Sequence, residues 1–193
     1  MSNMANTMTT YVKITNLNEQ TFLKFSELFK TENEGSSYVD LINHFNKLFD
    51  EKFSEPDNVM DRDWMEQNIG SKWITVEFGD DGYTPEVDII VESAWNVPTG
   101  YLQKVRDVLT EWDKDILLSG TYEDEGYSPI GAFVYGHDYD DIEDYDEEVD
   151  FDEMMDNDEY NEKTYDELYS LRDSLYESYL ETKKEREEDG GNG

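Results

Sequence analysis

The chain has no cysteine, which excludes disulfides, thiolate metal sites and cysteine nucleophiles. It has two histidines, His44 and His137, far apart in sequence and each without a second ligand at metal-binding spacing. No apolar run approaches the roughly 20 residues needed to cross a bilayer. Met1 to Thr10 lacks both the basic start and the apolar stretch of a secretory signal. The expected location is therefore the cytoplasm of the cell that makes the chain. Cations are scarcer still relative to need: 15 Lys and Arg stand against 49 Asp and Glu, a formal net charge of −34 over 193 residues. Charge of that size and sign repels phosphates and anionic lipid, so direct binding to nucleic acid or membrane is not expected. It attracts basic surfaces, which are most often the nucleic-acid-binding faces of other proteins. Solubility alone is the plainer alternative.

Hydrophobic residues make up 36% of the chain, below the roughly 45–50% of ordinary domains. Aromatics reach 14%, which a disordered chain would lack. A packed domain averaged with a poorly packed region accounts for both figures.

Along the chain, Met1 to Thr7 reads as a polar, frayed start, and Tyr11, Val12 and Ile14 as a short strand. Asn16 to Asn18 is a turn and helix cap. Phe22, Phe25, Leu28 and Phe29 then mark one amphipathic helix, and Val39, Ile42, Phe45, Leu48 and Phe49 a second. Ser54 to Asn58, with Pro56, is a loop, and Asp63 to Ile69 a short helix ended by Gly70. Two strands follow, around Trp73–Phe78 and Val87–Val91. The Gly79-Asp80-Asp81-Gly82 cluster between them supplies the positive-φ positions of a hairpin. Pro98 opens a helix carrying Leu102, Val105, Val108, Leu109 and Trp112, and Ile116–Tyr122 and Ile130–Tyr135 are strands. This order predicts an α+β fold, one mixed or antiparallel sheet with helices on one face.

At His137 the composition changes. From Asp138 to Glu162 most residues are Asp or Glu, with no Lys or Arg. Tyr139, Ile142, Tyr145 and Val149 recur at spacings of three and four, so the segment has an apolar face if it is helical. Beyond it, Tyr165, Leu168, Leu171, Leu175 and Tyr179 form a helical stripe, with Thr164 and Glu167 matching a capping box. Asp189 to Gly193 reads as a flexible end. The expected divisions are a domain over 8–136, an acidic segment over 137–162 and a C-terminal helix over 163–188.

No phosphate-binding, dinucleotide-binding or nucleophile-elbow motif is present. Carboxylates are too abundant to single out an acid–base pair, and an exposed acidic run is the opposite of the shaped, partly dry site that shifts their pKa values. A calcium loop starting at Asp138 fails, because Glu143 and Val149 stand where it needs Gly and Glu. No enzyme, metal or cofactor is expected. Duplex DNA carries one charge per about 1.7 Å of axis. Alternate residues of an extended chain lie about 6.5–7 Å apart, comparable to neighbouring phosphates on one strand. The acidic run can therefore imitate a row of phosphates. The candidate partner-binding residues are Asp138, Asp140, Asp141, Glu143, Asp144, Asp146, Glu147, Glu148, Asp150, Asp152 and Glu153. The rival readings are a solvated linker, a scaffold that dimerises or binds a partner groove through the sheet or the last helix, and, ranked last, an enzyme using a pocket near Trp64, Trp73 and Trp95.

Trp64, Asn68, Gly70, Lys72 and Trp73 follow a W-x-x-x-N-x-G-x-K-W pattern, Ala94-Trp95 with Pro98 an A-W-x-x-P corner, and Tyr122, Glu123, Gly126 and Gly131 a closing hairpin. Over roughly 8–135 the chain resembles the YubB-like ferredoxin-like domain family of phages and plasmids. It departs from that pattern at Val97 and in its acidic extension. The resemblance implies a ferredoxin-like core and a phage or mobile-element origin, and carries over no catalytic residue. Trp73 and Trp95 are expected to close the core between sheet and helices, with Lys72 a charge at a strand edge.

Overall fold

The computed structural model describes residues 6–33, 36–50, 61–78, 85–145 and 149–190. The loops expected at 54–58 and 79–82 lie outside them, as do Asp146, Glu147 and Glu148.

β1 (Thr7–Thr15) alternates strictly, burying Met8, Thr10, Val12 and Ile14 and turning the residues between them to the other face. The Asn18 side chain then accepts the amides of Gln20 and Thr21 while the Thr21 hydroxyl accepts the amide of Asn18, and this reciprocal cap starts α1 (Glu19–Leu28). Asp40 caps α2 (Leu41–Phe49), and Asp61 caps α3 (Arg62–Asn68). Just beyond α3, Gly70 takes φ +86°, a conformation that costs glycine nothing. The order continues β2 (Ile74–Phe78), β3 (Val87–Ala94), α4 (Thr99–Trp112), β4 (Leu117–Asp124), β5 (Ile130–Gly136), β6 (Tyr139–Asp144), α5 (Phe151–Asp156) and α6 (Asp158–Gly190). No helix among the described residues is long and apolar enough to cross a membrane.

The strands form one antiparallel sheet in the order β2-β3-β1-β4-β5-β6. One face packs Val12, Ile14, Val91, Leu118, Tyr122 and Phe133 against Phe25, Phe29, Phe45, Tyr101, Val105 and Leu109 of α1, α2 and α4 and the turn after α1. The second face is covered too: Leu117, Ala132 and Val134 pack under Leu168, Leu175 and Tyr179 of α6. The expectation of helices on one face is therefore corrected. All seven residues of β5 are buried, and a single helical layer would leave Ala132 and Val134 in water.

The sheet also continues past residue 136, where a separate acidic segment was expected. His137 and Asp138 form a two-residue turn, with Asp138 at φ +57°, so that Tyr139 returns opposite Gly136 and Asp144 opposite Gly131. Tyr139 and Ile142 thus lie on a strand, and their helix-like spacing has no helix behind it. α6 starts at Asp158 rather than 163. Asn157 caps it by accepting the Tyr160 amide, and Thr164, expected as the cap, lies inside the helix with its hydroxyl donating to the Tyr160 carbonyl at 2.9 Å.

Candidate functional site

β6 is an edge strand whose carboxylates point to both sides of the sheet. Asp140 and Asp144 share the α4 face with Ile142, and Asp141 and Glu143 share the α6 face with Tyr139. Each has a local anchor or is free in water. Gln103 donates to Asp140 at 2.8 Å, and the Tyr122 hydroxyl donates to Asp144 at 2.6 Å. Burial, and then Asp144, push the Tyr122 phenol up, so it stays a donor. The Tyr139 hydroxyl donates to Asp141 at 3.3 Å. Asp138 stands exposed at the turn, 3.4 Å from His137 Nε2. Asp150 caps α5 by accepting the amides of Asp152 and Glu153, which lie in its first turn, where the helix dipole favours negative charge.

Among the described residues, no Lys or Arg forms an ion pair with Asp140, Asp141, Glu143, Asp144, Asp150, Asp152 or Glu153. Four of the five positions from 140 to 144 are carboxylates, two on each face of the edge strand. The structure thus brings Asp138, Asp140, Asp141, Glu143 and Asp144 together on one hairpin, while Asp150, Asp152 and Glu153 belong to a different element.

Sequence reasoning missed a second row. On α6, Asp158, Glu162, Asp166, Asp173, Glu177, Glu181, Glu185 and Glu188 are all exposed. By helical spacing all but Asp158 and Glu185 lie opposite the buried stripe of Leu168, Leu175 and Tyr179. A helix of 33 residues is about 50 Å long. Of this row, only Asp173 has a cation, Arg172, in an ion pair among the described residues. The signal in the sequence is a set of carboxylates at helical spacing, three or four residues apart except for one gap of seven between Asp166 and Asp173. Tyr145 ties the loop after β6 to α6 by donating to Glu167, and that bond, with Lys163, holds Glu167 below the usual carboxylate range.

His44 is buried between a Leu28 carbonyl, 2.8 Å from Nδ1, and the Tyr101 hydroxyl, 3.0 Å from Nε2. The carbonyl can only accept, so Nδ1 carries the proton and Nε2 accepts from Tyr101. Trp95 departs from expectation. It is 41% exposed, at φ +64°, with Lys72 Nζ 3.4 Å from its ring centroid, because the corner after β3 turns it away from the core. Lys72 accordingly serves as the cation over that ring. Comparison with family models, with curated proteins and with solved structures returns no match for this chain.

Proposed function

We propose that the chain is a phage-type accessory protein that binds and inhibits a basic, nucleic-acid-binding host or defence protein by offering an acidic surface in place of DNA. The observation that carries this reading is the set of carboxylates on ordered elements, β6 and the first turn of α5, that have no Lys or Arg ion pair among the described residues. A flexible acidic linker would lose conformational entropy on binding, whereas these groups are already held. The exposed row on α6 adds further carboxylates on an ordered element. The proposed site is non-catalytic and needs no cofactor, and the host cytoplasm is where such a partner would be met. For the core, a ferredoxin-like reading akin to the YubB-like domains draws support from the element order β1, helices, β2, β3, α4, β4 and the spatial sequence β2-β3-β1-β4, which a split βαβ unit shares. β5, β6 and α6 are then additions on one side.

A second reading, a scaffold that self-associates through α6, draws on the exposed Tyr169, Tyr176 and Leu180. A charge of −34 on each copy opposes it.

Capture from a lysate of the natural host, followed by competition with duplex DNA, tests the first reading. The retained protein should elute with DNA and at several tenths molar salt. Retention by a chain with the named carboxylates changed to Asn and Gln, or elution by salt but never by DNA, rejects DNA imitation.

A further inference from the structure

α6 covers only half of the second sheet face. Over β1, β3 and β2 that face carries Tyr11, Ile90, Thr75, Glu77, Asp88 and Glu92, with no helix packed on it among the described residues. A groove of about 490 Å³ runs along the boundary, with Tyr11, Lys13 and Ile90 on the sheet side and Tyr165, Tyr169 and Arg172 of α6 on the other. By helical spacing Tyr176 and Leu180 continue the same flank of α6, and Tyr169, Tyr176 and Leu180 are 46%, 41% and 44% exposed. Tyrosine and arginine are the residues that most often anchor a protein partner.

Three strands span about 10 Å from first to third, close to the width of one helix. β1, with nine residues, is about 30 Å long, the length of about 20 helical residues. The charge of the floor selects the occupant. Both groove cations are already paired, Lys13 with Glu86 at 2.6 Å and Arg172 with Asp173 at 2.9 Å. Glu77, Asp88 and Glu92 have no Lys or Arg ion pair among the described residues. A second copy of this chain would bring another 34 net negative charges to the same place.

We infer that this trough seats a basic amphipathic helix of the partner, laid beside α6, with apolar side chains over Ile90 and Tyr11 and cations toward Glu77, Asp88 and Glu92. The inference rests on the proposed function and adds a second contact, beside the β6 edge, by which the same basic partner is held.

The test uses the full chain and a synthetic 18-residue Lys/Leu peptide with helical amphipathicity, against a scrambled peptide of the same composition. Two triple variants remove equal charge: Glu77→Gln with Asp88→Asn and Glu92→Gln, and Asp140→Asn with Asp141→Asn and Glu143→Gln. All these positions are at least partly exposed, and native circular dichroism checks each fold. The amphipathic peptide should shift the Ile90 methyl resonance and bind at least tenfold more tightly than the scrambled one. The sheet triple should weaken it at least fivefold more than the β6 triple. If the β6 triple weakens binding as much or more, or the scrambled peptide binds equally well, the trough is wrong and the acidic-surface reading stands. Binding of neither peptide removes both. Concentration-dependent dimerisation that shifts Ile90 makes a second copy the occupant and overturns the inference.

Discussion

Asp144 shows how little separates structural from presented charge in this protein. One of its oxygens takes the Tyr122 hydroxyl, and Gly131 leaves the room for that bond. A Cβ on Gly131 would stand 2.2 Å from both the Tyr122 hydroxyl and the Glu143 carbonyl. Gly131→Ala should therefore cost about 1–3 kcal/mol or more in urea unfolding, because β6 and the ring cannot both stay in place. His44 predicts a pH effect. Burial pushes its pKa down to about 4, while the unfolded chain binds that proton near 6.5. The His44 contribution is therefore fully present above about pH 6.5 and is lost as pH falls toward 4, by up to about 3 kcal/mol. Unfolding of the native chain and of His44→Gln, compared from pH 7 to 4.5, should show the native chain losing its advantage as the solution acidifies; a constant difference rejects the assignment. Neither the His44 contacts nor the exposure of Trp95 was legible in the sequence. A lone histidine in a helical pattern gives no hint that Leu28 and Tyr101 close on it, and the exposure of Trp95 depends on a backbone turn that composition does not encode.

At the level of elements, the capped helices α1, α2 and α3 could be read almost to their ends. The strands were placed but cut short: β1 runs from Thr7 rather than from about Tyr11, and β3 runs to Ala94 rather than to Val91. The reading failed where two patterns coincided. Tyr139, Ile142 and Tyr145 fit a helix by spacing, and only pairing with β5 makes Tyr139–Asp144 a strand. For the same reason the acidic residues were legible as a set, but their distribution over an edge strand, a turn and a helix cap was not. Because α6 covers β4 and β5, a chain ending at Gly136 should not fold cooperatively, since Leu117, Ala132 and Val134 would face water. Leu175→Ala, which opens the same interface, should cost about 2–4 kcal/mol. Loss of near-UV circular dichroism in the truncated chain would bear this out, and a sharp native-like transition would contradict it. The β6 carboxylates also guard an open edge. Asp141→Asn with Glu143→Gln should raise the melting temperature by relieving repulsion, yet increase self-association in size-exclusion chromatography at high concentration.

For the whole molecule, the net charge of −34 is a standing cost to the compact state. At about 0.01 M salt the Debye length is about 30 Å, so the β6 and α6 rows repel across the protein; at about 0.15 M it is about 8 Å and they largely do not. The melting temperature should therefore rise by several degrees over that range, and a flat profile would mean that the charges are compensated in solution. The same screening acts with opposite sign on a basic partner. The most direct measurement is the slope of log Kd against log salt concentration for the captured partner. It compares the native chain with one carrying Asn or Gln at 140, 141, 143, 144, 150, 152 and 153. A steep slope in the native chain that collapses in the variant, with the fold intact, means that these fixed carboxylates form the contact. Equal affinity and equal slope in the two chains would mean that they do not.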